Sequence, residues 1–186
     1  MNSLYYYPMF INIEIKAHCH DPRKIRTYLQ FNQAKFIGID EQTDTYFNCL
    51  SGRLKLREGN IENNLIFYDR ANSSGPKASY FQLLKVEDPS GLKSILASTN
   101  GIRVIVKKKR EIYFIDNVKF HIDTVPGLGH FMEIEAGNKT HPEMTEMELQ
   151  EQCARFMNEL GIRTEDLIDR SYSDMLADDN GTQVAG

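Results

Sequence analysis

Residues 52–58 read Gly52-Arg53-Leu54-Lys55-Leu56-Arg57-Glu58. Alternate residues of a strand point to opposite faces, so an extended reading puts Arg53, Lys55 and Arg57 on one side and Leu54 and Leu56 on the other. The solvated face of an antiparallel strand ordinarily mixes neutral polar residues with charges of both signs. Three cations in a row on one face repel one another unless an anion sits among them. This strand therefore asks for an anionic partner.

The same alternation recurs along the chain. Asn12, Glu14 and Lys16 oppose Ile11, Ile13 and Ile15. Tyr68 and Arg70 share one parity with Phe67 opposite, and Lys108 and Arg110 share another. Lys119, His121 and Asp123 oppose Val118, Phe120 and Ile122, while Phe131, Glu133 and Glu135 oppose Met132, Ile134 and Ala136. Any one of these strands could be half-buried with a solvated outer face. Together they segregate cations from acids by strand, as a site for phosphate and metal requires. The planar fork of arginine matches two phosphate oxygens, and lysine acts on them as a point charge. Mg²⁺ and Mn²⁺ prefer carboxylate oxygens and water, and Glu133 and Glu135 project side by side onto one face.

Turn signals divide the first three quarters of the chain into short strands. The segments are Met9–His18, Ala34–Ile39, Thr43–Cys49, Gly52–Arg57, Asn64–Arg70, Ser79–Val86, Arg103–Phe114, Val118–Val125 and His130–Ala136. The breaks include Ser51-Gly52, Gly59-Asn60, Asn72-Ser73-Ser74-Gly75-Pro76, Asp116-Asn117 and Pro126-Gly127, a spacing that suggests hairpins and an antiparallel sheet or barrel. Asp21-Pro22 and Asp88-Pro89 open helices to about Phe31 and Ser98 with an N-cap and a first-turn proline. Thr145 and Glu148 form a capping-box pattern for a helix to Leu160, closed by Gly161. Thr164 is placed to cap a short helix over Glu165–Ile168. A barrel with a polar interior needs its apolar outer face covered, and the three amphipathic helices are the expected cover. The fold class is α+β, a single domain over residues 1–176, with residues 177–186 expected to be a flexible tail.

Composition narrows the class. The 186 residues are 41% hydrophobic and 26% charged, as in ordinary globular proteins. No apolar run is long enough to cross a membrane, and the N-terminus has neither a basic region nor a clean apolar stretch. The expected compartment is the cytoplasm, since three widely spaced cysteines (Cys19, Cys49, Cys153) argue against a disulfide framework. The net charge of −4 argues against general nucleic-acid affinity. His18-Cys19-His20 reads as a strand end rather than a zinc site, because alternation separates Cys19 from both histidines. Gly127-Leu128-Gly129 lacks the lysine and following helix of a phosphate loop and reads as a hairpin turn. In the run Lys107–Arg110, Lys107 and Lys109 point outward. Glu148, Glu151, Arg155 and Glu159 form a solvated helix face. Tyr5-Tyr6-Tyr7 reads as packing or a flexible arm.

The strand Asn12-Ile13-Glu14-Ile15-Lys16 resembles the ExExK signature of the CYTH family, the triphosphate tunnel metalloenzymes. Further pieces follow in the family's order: Asp44-Thr45-Tyr46-Phe47, residues 52–58, Tyr68-Asp69-Arg70, Gly75-Pro76-Lys77, Lys108-Lys109-Arg110-Glu111-Ile112-Tyr113, and Asp123 through Glu135. The likeness spans about Asn12 to Tyr172 and is closest to the class IV adenylyl cyclase-like branch. It implies an antiparallel eight-stranded β-barrel, a triphosphate tunnel flanked by helices, with Mg²⁺ or Mn²⁺ as cofactor. By motif, Glu14, Glu133 and Glu135 resemble metal ligands, with Asp123 and Asn12 as further candidates. Lys16, Arg53, Lys55, Arg57, Arg70, Lys108 and Arg110 resemble triphosphate-binding residues, and Lys16, Arg57, Lys108 and Arg110 form the candidate catalytic set. Asn12 departs from the signature, which has glutamate there; its carbonyl can coordinate but brings no charge.

The resemblance implies a small-molecule triphosphate as partner: ATP, thiamine triphosphate or tripolyphosphate. Neither nucleic acid nor membrane is expected, and a homodimer is a candidate assembly. The leading expectation is cyclisation of ATP to cyclic AMP and pyrophosphate. Hydrolysis of thiamine triphosphate, tripolyphosphate or a nucleoside triphosphate is the alternative. A non-catalytic polyphosphate-binding module is the third reading, motivated by Asn12.

Overall fold

The alternation of charged and apolar residues resolves into the inner and outer faces of one closed barrel. The computed structural model describes residues 10–70 and 75–181. Its strands are β1 (Phe10–His18), β2 (Lys35–Phe47), β3 (Arg53–Glu58), β4 (Asn64–Arg70), β5 (Lys77–Lys85), β6 (Ile102–Ile115), β7 (Val118–Val125) and β8 (Gly129–Gly137). Around the barrel they run β1-β5-β4-β3-β2-β6-β7-β8, every neighbouring pair antiparallel, and β8 pairs with β1 to close the ring. The tyrosine run at Tyr5–Tyr7, most of the Asn72–Pro76 break and residues 182–186 lie outside the described residues. Among the described residues, no helix is long and apolar enough to cross a membrane.

Local chemistry sets the helices. Helix α1 (Pro22–Phe31) starts at Asp21, whose carboxylate accepts from the Arg23 and Lys24 amides. Helix α2 (Pro89–Asn100) starts in the same way at Asp88, which accepts from Gly91 N. Helix α3 (Glu146–Glu159) carries the full Thr145–Glu148 capping box. It ends before Gly161, whose φ of 68° a side-chain-bearing residue rarely adopts.

Three sequence expectations need correction. The segments Ala34–Ile39 and Thr43–Cys49 are one strand, β2, bulged between Phe36 and Gly38. The polar residues between them resemble a turn, yet Asp40 is buried because the β3–β4 loop folds onto it. Its carboxylate accepts from the amides of Ile61 (2.8 Å) and Glu62 (3.1 Å). The helix expected over Glu165–Ile168 is a single 3₁₀ turn at Thr164–Asp166. The chain then extends onto β1, with Ile168 N donating to Lys16 O at 2.8 Å. Helix α4 (Tyr172–Gly181) follows. The apolar wall is also not shared among three helices: α2 buries none of its residues and lies along β2 and β3, with Lys93 paired to Glu58 at 2.8 Å.

Helices α1 and α3 supply the outer cover. Ile13, Ile15, Phe120, Ile122, Met132 and Ile134 point out of β1, β7 and β8 and pack on Ile25, Leu29, Leu149, Cys153, Phe156 and Leu160. Phe120 and Phe156 meet edge to face with centroids 4.9 Å apart. A second apolar cluster lies inside the barrel, where Tyr46, Ile66, Tyr68, Val106, Val125 and Phe131 meet Ile168 and Tyr172. This cluster runs from the α4 segment along one side of the interior, and charged residues line the rest of the cavity.

This division predicts that stability resides mainly outside the barrel. Leu149 is fully buried in α3. Leu149→Ala is expected to cost about 2–5 kcal/mol, read as a lower denaturation midpoint with an unchanged slope. A loss under about 0.5 kcal/mol would mean that α3 does not close this core.

Candidate active site

Every inward-facing charged residue must find its partner within the barrel. A cavity inside the barrel, about 140 Å³, is lined by Lys16, Lys55, Arg57, Lys108, Arg110 and Lys119 and by Glu14, Asp44, Glu62, Glu133 and Glu135. Strand order sorts these groups into walls.

The cationic wall is formed by β3, β2 and β6, which are adjacent. Asp44 of β2 gathers it: Arg57 donates through Nε (2.9 Å) and Nη2 (3.0 Å), Lys55 through Nζ (3.1 Å) and Lys108 through Nζ (2.6 Å). Burial would raise the Asp44 pKa, but Arg57, Lys108 and Lys55 hold it well below the usual carboxylate range. One carboxylate shared by three cations leaves the cluster positive. Lys108 shows the consequence: burial, joined by repulsion from Arg57, Arg110 and Lys55, lowers its ammonium to about 7 despite Asp44. Glu62, on the β3–β4 loop held by Asp40, accepts from Arg57 Nη1 at 2.8 Å and Lys119 Nζ at 2.6 Å. Burial opposes ionisation of Glu62 too, and Lys119 and Arg57 depress its pKa strongly.

The acidic wall is formed by β1 and β8. Their register sets Glu14 directly opposite Glu135 and Lys16 opposite Glu133. Glu133 is neutralised within the protein: Lys16 Nζ lies 2.8 Å from Oε1, and Arg110 Nη2 donates to Oε2. Burial would raise the Glu133 pKa, but Arg110 and Lys16 hold it well below its ordinary range. Glu14 also stands opposite Lys77 in the β1–β5 ladder. Glu14 and Glu135 bring two carboxylates onto one wall, a donor set that fits an oxygen-seeking divalent cation. His121 of β7, Glu133 and Glu135 also bring one ligand atom each within 4.8 Å of one another. Burial, helped by Arg110, lowers the His121 pKa against the pull of Glu135.

The third wall, on β4 and β5, is apolar. Ile66, Tyr68, Phe81 and Leu83 line it, and Tyr46 continues it from β2. Lys55 Nζ sits 5.5 Å from the ring centroids of both Tyr46 and Tyr68.

The structure brings together Asn12, Glu14, Lys16, Lys55, Arg57, Lys108, Arg110, Glu133 and Glu135, all on the cavity surface. Two sequence candidates stand elsewhere. Arg53 lies at the end covered by α4, where it pairs with Asp174 at 2.9 Å. Asp123 is fully buried behind Arg110, which donates to it through Nε at 2.7 Å, and it also accepts from Tyr172 OH at 2.8 Å. It therefore positions Arg110 rather than facing the cavity. Arg70 ends β4, and its side chain lies outside the described residues.

Sequence reasoning assigned no role to Asp44, Glu62, Lys119, His121 or Tyr172. Parity already placed Lys119 and His121 on the inner face with Asp123. Glu62 and Tyr172 carried no such signal, since one comes from a loop and the other starts a helix. Tyr172 enters from the plug, with Lys16 Nζ 3.4 Å from its ring centroid. Burial, then Asp123 and Glu133, raise the Tyr172 phenol well above its ordinary pKa, so it stays a donor.

Known proteins share this barrel. A Methanocaldococcus jannaschii protein, named as a candidate adenylate cyclase, is 27% identical over 183 residues, covering 89% of this chain and 98% of the relative. A solved structure from Pyrococcus horikoshii OT3 is 26% identical with a TM-score of 0.72, covering 88% of this chain and 98% of the other. A Hippeastrum adenylyl cyclase-like protein, described as having a dominant triphosphatase activity, shares the fold at 16% identity, with a TM-score of 0.56 and 92% and 96% coverage. The CYTH domain model matches residues 11–172. With that match over most of its length, this chain belongs to the CYTH domain family.

Proposed function

We propose that the chain is a metal-dependent enzyme acting on an organic triphosphate held in the barrel, and that it cyclises ATP to cyclic AMP and pyrophosphate. The observation that carries this reading is the three-walled cavity. The cationic wall suits a phosphate chain, the Glu14–Glu135 pair suits a divalent cation, and the apolar wall suits a flat ring at the organic end. Inorganic tripolyphosphate would leave the apolar wall unused. The Methanocaldococcus relative, similar over nearly its whole length, favours the cyclase reaction.

In this reading Glu14 and Glu135 hold Mg²⁺ or Mn²⁺, with Glu133 beside them. When bound, the metal neutralises phosphate charge and lowers the cost of ionising the attacking 3′-hydroxyl. Lys55, Arg57 and Lys108, already drawn together by Asp44, contact the phosphate oxygens and take up charge developing on departing pyrophosphate. Arg110 is fixed by Asp123, and Lys16 is held over Tyr172. Fixed cations need little reorganisation when charge moves. Hydrolysis could use the same wall; it differs in which phosphorus faces the nucleophile, and the Hippeastrum protein is described as carrying that activity on the same fold.

The deciding experiment incubates the protein with ATP, thiamine triphosphate and tripolyphosphate, each with Mg²⁺ or Mn²⁺, and separates the products. Cyclic AMP and pyrophosphate from ATP is the expected result. Orthophosphate with a diphosphate product selects hydrolysis instead, and no product from any substrate selects the binding module. A second expectation concerns Arg57→Ala, which should weaken ATP binding roughly 10–100-fold through lost charged hydrogen bonds and AMP binding much less. Equal losses for both nucleotides would contradict a phosphate chain lying along this wall.

A third expectation concerns pH. Lys108 has its pKa lowered to about 7, and an adjacent phosphate would raise it. Below pH 7 the ammonium is already charged, so binding takes up no proton there. Above pH 7 binding must protonate it, so ATP affinity should fall by up to about tenfold per pH unit. Calorimetry in buffers of different ionisation enthalpy should detect this uptake at pH 8 in the native protein and not in Lys108→Met. Uptake of the same size in the variant would remove Lys108 from the phosphate site.

A further inference from the structure

Asn12 stands at a cavity position where its amide offers only a neutral oxygen. The inner face has another donor that can complete the set. His121 lies directly opposite Glu133 in the β7–β8 ladder. Its side chain is 1% exposed. Its Nδ1 is 3.2 Å from Glu133 Oε2 and 3.5 Å from Glu135 Oε1, whereas its Nε2 is buried with no hydrogen-bond partner.

Each tautomer of this imidazole leaves something unsatisfied. With the proton on Nδ1, that nitrogen donates to Glu133 and the Nε2 lone pair stays buried without a donor. With the proton on Nε2, that N–H stays buried without an acceptor and the Nδ1 lone pair faces two carboxylates, a repulsion that only a cation between them relieves. A divalent ion held by Nδ1 and Glu135, with Glu133 beside it still bridged by Lys16 and Arg110, supplies that cation.

Resting on the metal-dependent reading above, we propose that His121 Nδ1 is a direct nitrogen ligand of the tunnel's divalent cation, shifting the site's preference from Mg²⁺ toward transition ions such as Mn²⁺ and Co²⁺. Mg²⁺ favours an octahedron of oxygens, while imidazole nitrogen favours first-row transition ions. A nitrogen in place of one more carboxylate also lowers the negative charge of the site, which disfavours Mg²⁺ further. The barrel makes this substitution because β7 and β8 are hydrogen-bonded neighbours, so an inward residue on β7 faces the β8 acids at ligand distance.

The test titrates Mn²⁺ into the full chain, with and without tripolyphosphate, and records electron spin-echo spectra on protein carrying ¹⁵N-histidine. A histidine-nitrogen coupling to bound Mn²⁺ is expected in the native protein and should be absent in His121→Gln. The Mn²⁺ Kd should rise roughly tenfold in the variant, while the Mg²⁺ Kd, measured by competition, changes less than about twofold. Mn²⁺ bound without histidine coupling, or a coupling that survives His121→Gln, overturns the proposal and leaves the metal-dependent reading standing. No Mn²⁺ binding under either condition overturns both. The native spectrum is decisive even if the variant does not fold.

Discussion

The organising constraint is electrostatic: a closed barrel leaves inward charges little bulk water, so they must be balanced within its walls. Six cations and five carboxylates face one cavity. Such groups lose hydration on burial, and buried pairs often contribute no more stability than apolar residues of equal size. Their arrangement is therefore poor evidence for stability and good evidence for a ligand. Asp44 expresses the constraint most clearly, because it compensates three cations at once and leaves an excess of positive charge.

The two faces of each strand consequently do different work. On the outside, α1 and α3 bury an apolar core against β1, β7 and β8. On the inside, strand order separates cations on β3 and β6, gathered by Asp44 of the intervening β2, from acids on β1 and β8, with an apolar wall on β4 and β5. Buried partners then hold the lining groups in place. Asp123 holds Arg110, Tyr172 packs under Lys16, and Asp40 ties down the loop that delivers Glu62 to Arg57.

The barrel and most of its lining were legible because strand alternation has a period of two, and a charge on the wrong parity stands out. Arg53, Lys55 and Arg57 mark the inner face by alternation alone. Parity does not report depth along the barrel, which is why Arg53 resembled its neighbours yet lies under α4. Nor does it report which charges pair: Asp123 shares its parity with the lining, yet its carboxylate accepts from Arg110 behind the cavity. Asp40, Glu41 and Gln42 resembled a turn because the loop that buries Asp40 comes some 20 residues later. Tyr172 was hidden because helical periodicity says nothing of which cavity a helix end plugs.

The central claim is that a triphosphate and its metal lie between the two charged walls. It is tested most directly by anomalous diffraction from crystals grown with Mn²⁺ and a non-hydrolysable ATP analogue. The account predicts a manganese peak between the phosphate chain and the Glu14–Glu135 pair, with phosphate oxygens on Lys55, Arg57 and Lys108. A nucleotide bound outside the barrel, or manganese remote from both glutamates, would contradict it.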